Sequence, residues 1–373
     1  LNTDVGPVID AEAQQNIQNH IEMMRSKGYP VHQFSFNHAK KTENTNHPEN
    51  LSQGTFIAPT LIELPNLNDL KREVFGPVLH VITYKYGELN QLLEQINAKG
   101  YGLTMGLHTR IDETIQTVIQ KAHVGNLYIN RNIVGAVVGV QPFGGEGLSG
   151  TGPKAGGPLY LYKLMQPNTL SFKQPFGTLN QMTEVNQTAN YTSAHQDTAY
   201  SAFRTWAKQH FPHVDLAEVY SPVGIYELPG PTGESNQYTV LPRERVLSIA
   251  QSETQYLAQM NTIFAVGAQL SVLADNTFVL QHLAKMPEIL RRNIHSISNV
   301  ETGQFDAVFH HGTHTELTQL QDQIAKRDGA IIAISHFNDD QTQLCIEPLI
   351  IERALSINTA AAGGNASLMT LES

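Results

Sequence analysis

Apolar positions recur at three- and four-residue spacing after Asp10: Ala13, Ile17, His20, Ile21 and Met24 line one face. This spacing predicts an amphipathic helix that Asp10 caps and Gly28 ends. Strand-like runs follow at 31–36, at 54–63 with a break at Pro59, at 79–84, at 102–109 and at 124–130. Between them lie a polar loop at 38–53 and helical patterns at 89–99 and 113–122, the second expected to be capped by Asp112. Such alternation predicts an α/β architecture. Residues 157–164 suit a strand or a short helix, and 166–196, rich in Asn, Thr, Gln and Pro, read as a connection. Beyond it come a helix around Phe203 and Trp206, a strand at 221–227 and a turn-rich loop at 228–236. Helical stretches are expected within 242–247 and 252–266, then a strand at 269–273 and helices at 278–286 and 287–296. A strand at 305–309, a helix at 315–325 and the apolar run 330–335 complete the pattern of an open parallel sheet. The tail reads NTAAAGGNASLMTLES, with a strand-like run at 366–371.

Against this background one stretch stands apart. Residues 128–157 read YINRNIVGAVVGVQPFGGEGLSGTGPKAGG, with no charge between Arg131 and Glu146. The run is too rich in glycine for a helix and too apolar for a disordered linker. It predicts a buried strand end that opens into a closely placed loop. Backbone N–H groups across 133–138 would suit an anion or a carboxylate. A glycine-rich surface turn without a ligand is the other reading of the same residues.

Composition narrows the rest. The 373 residues are 40% hydrophobic and 16% charged, a globular balance with room for more than one domain. A formal net charge of −10 argues against a broad basic face for nucleic acid. No apolar run approaches the length of a membrane-spanning helix. Cys345 is the single cysteine, so no disulfide forms within the chain, and it reads as a structural thiol in a strand. His310, His311 and His314 cluster in HHGTH, read as a polar loop because no acidic pair completes a metal set. Residues 228–236 carry glycines but neither a P-loop Lys-Ser/Thr nor G-x-G-x-x-G. The chain opens Leu1-Asn2-Thr3 without an initiator Met or a signal peptide, which reads as a fragment or a processed product.

Glu73-Val74-Phe75-Gly76-Pro77-Val78 and Pro142-Phe143-Gly144-Gly145, about 70 residues apart, resemble the aldehyde dehydrogenase superfamily. Residues 129–157 are similar to its glutamate-semialdehyde (pyrroline-5-carboxylate) dehydrogenase branch. The later half and NTAAAGGNASLM look like the C-terminal extension of the long bifunctional proline-utilization proteins of bacteria. The resemblance implies a partial aldehyde dehydrogenase catalytic domain at 1–165, a linker at 166–196, a non-catalytic Rossmann-like domain at 197–355 that covers an intermediate's passage, and a flap at 356–373. It implies NAD-dependent oxidation of L-glutamate γ-semialdehyde to L-glutamate, through a thiolate nucleophile and a Glu that match nothing in this chain. Glu73 would hold the nicotinamide ribose hydroxyls and Phe75 would pack beside that ribose. Gly135 and Ala136 would take the substrate's α-carboxylate on their N–H groups, and Phe143 would pack on its methylene chain. No catalytic or metal-binding residue is expected here. The parent would use NAD, with FAD in a proline dehydrogenase domain upstream, while this segment alone would hold neither and be inactive. The upstream domains of the same polypeptide are its expected partners, in a homo-oligomer. The parent would be cytoplasmic and dock peripherally on the inner membrane. A stand-alone, non-catalytic binding or assembly module is the alternative.

Overall fold

The computed structural model describes residues 5–34, 54–164 and 193–360. The chain divides into two compact units, Leu1–Ile96 and Asn97–Ser373. The polar loop at 38–53, nearly all of the expected connection and the strand-like run at 366–371 lie outside the described residues.

In the first unit, α1 (Ala11–Ser26) starts where Asp10 Oδ1 accepts the Ala13 N–H at 2.8 Å. The cap satisfies one orphan donor of the first turn. Gly28, at φ 79°, turns the chain out of the helix as expected. Ile17, Ile21 and Met24 face Ile57, Ile62 and Leu64 in a small core. β1 (Val31–Gln33), β2 (Thr60–Glu63) and β3 (Val78–Val81) form a sheet in that order, antiparallel then parallel. Gly76 lies against α1: a Cβ there would sit 2.4 Å from Ile17 Cδ1. A side chain at this position would have to displace the buried end of Ile17. The helix α2 (Leu89–Ala98) runs across the division between the units.

The second unit holds two five-stranded sheets. After β4 (Tyr101–Gly102) and β5 (Thr104–Leu107), α3 (Asp112–Lys121) leads to β6 (Asn126–Ile129). Asp112 is the first residue of α3 and makes no capping bond, which corrects its expected role. Its charge still favours the helix N-terminus. The short β7 (Glu146–Gly147) pairs antiparallel with β4. Residues 160–164 form a turn of 3-10 helix.

Then come α4 (Ser193–His210), β8 (Gly224–Leu228), β9 (Glu234–Pro242) and β10 (Arg245–Ile249). The helix expected within 242–247 is therefore the meeting of two strands. In β9, positions 236, 238 and 240 alternate inward, but Asn236 occupies one of the buried places and hides the period of two. Next are α5 (Glu253–Val266), β11 (Gln269–Leu273), α6 (Thr277–Leu283) and α7 (Glu288–Arg292). Then follow β12 (Ile294–Ile297), β13 (Ala307–His311), α8 (His314–Ile324), β14 (Ala333–Phe337) and β15 (Ile350–Asn358). The helix expected over 287–296 ends at Arg292, and the rest supplies an edge strand.

One sheet runs β12-β11-β10-β13-β14 with every pair parallel, the doubly wound form that strand–helix alternation predicted. Its helix α5 begins with a Ser252–Gln255 capping box and ends at left-handed Gly267. Phe203, Trp206, Phe264 and Phe309 are among its buried side chains. Each contributes roughly 1.5–3 kcal/mol relative to exposure.

The other sheet runs β5-β6-β15-β9-β8. Here β15 lies parallel to β6 and antiparallel to β9 along its whole length. One sheet thus combines strands from both sides of the expected connection at 166–196. This insertion sets the floor of the glycine-rich stretch.

Candidate functional site

The chain leaves β6 at Asn130, which adopts the left-handed conformation at φ 56°. Its side chain closes a two-bond loop onto Thr109, accepting from the N–H at 3.0 Å and donating to the carbonyl at 2.9 Å. Asn is among the few residues that tolerate this backbone, because its amide bonds locally. Residues 133–138 then swing outward. Val134 is 76% exposed and Val138 82%. Gly135 has φ 82°, and nothing lies within 4 Å of the place its Cβ would take. The Val134 N–H bonds Asn132 Oδ1 at 3.3 Å and the Val137 N–H bonds Gln141 Oε1 at 3.2 Å. Between them, the N–H groups of Gly135 and Ala136 have no partner among the described residues. The arrangement is an exposed pair of donors between two tied ones, which can receive an anion.

The loop's base is held from the far end of the chain. Arg131 Nη1 lies 2.7 Å from Glu234 Oε1 and donates to Ser356 Oγ at 2.8 Å. Gln141, 4% exposed, donates to the same Glu234 carboxylate. Val138 rests against Gly156, where a Cβ would come within 3.2 Å of its Cγ1, so the two loops touch.

Phe143 is half-buried, and its backbone exchanges hydrogen bonds of 3.0 and 2.8 Å with Ala155. Beneath it is a buried polar group that sequence reasoning missed. Asn126 Nδ2 donates to the Pro142 carbonyl at 2.8 Å, and its Oδ1 accepts from the Gly144 N–H at 3.1 Å. Lys154 is only 2% exposed. Its ammonium donates to Asn126 Oδ1 at 3.0 Å and to the Gly144 carbonyl. Burial pulls the Lys154 pKa down to about 8, against the attraction of Glu352 and Glu146. Glu352, on β15, accepts from the Lys154 backbone N–H at 2.9 Å and from the Tyr238 hydroxyl at 2.6 Å. Burial raises its pKa, while these donors and the Lys154 charge pull the other way. Next to it, Arg353 grips Glu146 with two bonds of 2.8 Å. Planar guanidinium matches carboxylate in this geometry. Lys154 lies in a glycine run, and no sequence pattern marks it as buried. Nothing in the spacing pairs it with Glu352, 198 residues later.

Glu73 and Phe75 belong to the first unit. Both are exposed, Phe75 at 85%, so it is no core aromatic. The Glu73 carboxylate has no partner among the described residues. These side chains are available to a ligand rather than committed to the fold.

The other clusters are structural. His310 and His311 lie on β13, not in a loop. His311 accepts from Gln259 at 2.8 Å and donates to the Gln341 carbonyl at 2.9 Å, and burial lowers its pKa. Those two bonds describe a neutral imidazole. No group of three metal-binding side chains occurs among the described residues. Cys345 precedes a 3-10 turn rather than lying in a strand, and burial drives its thiol up to about 12. It is protonated at neutral pH and a poor nucleophile. No helix among the described residues is long and apolar enough to cross a membrane.

Residues 1–170 match the aldehyde dehydrogenase family. The chain is 49% identical, over all of its length and 28% of the relative's, to the bifunctional protein PutA of Escherichia coli. It is 41% identical to PutA of Rhizobium meliloti, over all of this chain and 29% of that one. The 1-pyrroline-5-carboxylate dehydrogenase 2 of Bacillus subtilis is 39% identical over 45% of this chain and 30% of its own. The chain therefore spans less than a third of these relatives. Its first 170 residues are thus similar to the aldehyde dehydrogenase family, and the whole chain is similar to a segment of the bifunctional PutA proteins.

Proposed function

We propose that this chain is the part of a bifunctional proline-catabolic enzyme that grips L-glutamate γ-semialdehyde while it is oxidised to L-glutamate. The observation that carries the reading is the unpaired donor pair at Gly135 and Ala136 on an otherwise tied loop. A free α-carboxylate needs such donors, left unpaired by the fold and held in place by their neighbours. Phe143, whose backbone is fixed beside that loop, would cover the substrate's methylene carbons.

Glu73 and Phe75 suit NAD: an exposed carboxylate can accept from both hydroxyls of a ribose, and an exposed ring can lie along it. Bound NAD⁺ supplies the hydride acceptor. The residues of this chain bind and orient. The nucleophile is assigned to the rest of the longer polypeptide, since the Cys345 thiol is held protonated in the other half of the chain. By itself this chain would then not turn over substrate. We assign 1–165 and 197–355 to two domains that share the β5-β6-β15-β9-β8 sheet, the second supplying no catalytic residue.

The test is Gly135→Pro in the full-length protein. Proline cannot adopt φ 82° and has no N–H. The KM for the semialdehyde should rise tenfold or more, with the KM for NAD unchanged. An unchanged semialdehyde KM would refute the anchor assignment.

A further inference from the structure

We propose that Asn126 and Lys154 are positioning residues that fix the backbone on both sides of Phe143, and that Glu352 and Tyr238, from the far end of the chain, hold Lys154 in that post. The substrate contact of Phe143 rests on the function proposed above; the positioning itself does not.

The geometry is closed. The carbonyl before Phe143, on Pro142, accepts from Asn126 Nδ2 at 2.8 Å. The N–H after it, on Gly144, donates to Asn126 Oδ1 at 3.1 Å. The Gly144 carbonyl takes the Lys154 ammonium, which also binds Asn126 Oδ1 at 3.0 Å. Phe143 itself exchanges two backbone bonds with Ala155, the residue after Lys154. One amide thus reads both neighbours of Phe143, and one ammonium locks that amide. With the peptides on either side fixed, the direction of the Phe143 Cα–Cβ bond is fixed too. The Pro142 carbonyl and the Gly144 N–H already admit only one orientation of the amide, and the ammonium on its oxygen reinforces that orientation.

A buried ammonium is tolerated only with compensation. The carboxylates of Glu352 and Glu146 attract the ammonium without a direct ion pair among the described residues, and Glu352 accepts the Lys154 backbone N–H at 2.9 Å. The Tyr238 hydroxyl holds the second carboxylate oxygen at 2.6 Å. Glu352 lies on β15 and Tyr238 on β9, paired strands whose registers put Ala354 opposite Tyr238. The last strand among the described residues is therefore a structural part of the candidate substrate site, and the segment after residue 193 does more than cover it.

The test uses the full-length protein with Lys154→Met and, separately, Tyr238→Phe, which keeps the ring and removes only the hydroxyl. Hydrogen exchange would be followed across 141–157, together with steady-state kinetics. Lys154→Met should speed exchange of the Gly144 and Ala155 amides at least tenfold. It should raise the semialdehyde KM about tenfold, with kcat and the KM for NAD within threefold. Tyr238→Phe should show a smaller change of the same kind, and it decides the matter if Lys154→Met does not fold. Native exchange across 141–157 in folded variants would overturn the proposal. Faster exchange with an unchanged KM would uphold the positioning and remove Phe143 from the substrate site.

Discussion

Two neighbouring loops leave the same sheet and are built on opposite principles. Residues 133–138 point apolar side chains at solvent and keep two N–H groups unpaired. Residues 141–157 bury a lysine, and their polar groups close on Asn126, Glu352 and Arg353. The contrast shows how binding energy is divided. Donors meant for a ligand must be left bare, which is affordable only where water can reach them until the ligand does. Groups that define a wall must be satisfied within the fold, because a half-satisfied buried network costs more than an apolar one. The second loop is therefore the stiff reference against which the first can present its donors.

Substitutions can break this contrast, beginning with the largest expected effect. Gly125→Ala would place a methyl group 2.0 Å from the Gly144 carbonyl oxygen, in backbone that cannot step aside cheaply. It should lower unfolding free energy by about 3 kcal/mol, near the upper end for overpacking, and denaturant unfolding would measure it. Arg353→Met strands the Glu146 carboxylate, whose side chain is 13% exposed. A loss of about 2 kcal/mol is expected, less than for a fully buried pair because some water remains. Gly135→Pro should act mainly on binding, with a tenfold effect on KM, about 1.4 kcal/mol, and a smaller stability loss of about 1 kcal/mol because the exposed loop must give up its φ of 82°. Equal losses of stability from Gly125→Ala and Gly135→Pro would erase the distinction between the loops.

A smaller effect is readable in pH. The Lys154 pKa falls from 10.5 to about 8 on folding, so between those values the unfolded chain binds the extra proton. Stability contributed by this group must then rise with pH, by about 1 kcal/mol between pH 8 and 9. Melting temperatures of the native protein and Lys154→Met, compared across that window, should converge on different slopes; identical slopes would show that the lysine is not buried as described. Smallest of all, Cys345→Ala should change semialdehyde oxidation by the full-length protein less than twofold. Its thiol stays protonated and lies on a different part of the unit.

Much of the fold was legible because local chemistry and packing agree. Asp10 and Gly28 bracket α1, the first by its side-chain oxygen and the second by lacking a Cβ. The apolar strand–helix alternation after residue 242 yields the parallel sheet, where both faces are covered and apolar runs are uninterrupted. Legibility failed where a polar residue is buried for tertiary reasons. Asn236 interrupts the inward face of β9, so its start was read as part of a loop, its middle was given no element, and its junction with β10 was read as helical. The histidines of β13 were read as a loop because their partners, Gln259, Gln341 and His336, come from other elements.

By itself, the sequence determined the α/β class, the family motifs around Phe75 and Phe143, and the glycine backbone that lets residue 135 turn outward. Those depend on steric limits of single residues and on short-range periodicity, which travel with the chain. Only the tertiary structure decided that Lys154 is buried, that Asn126 reads both neighbours of Phe143, and that β15 lies between β6 and β9. The energy of a buried charge depends on what surrounds it, and here the compensating carboxylate arrives 198 residues later. No spacing rule spans that distance; a sheet does.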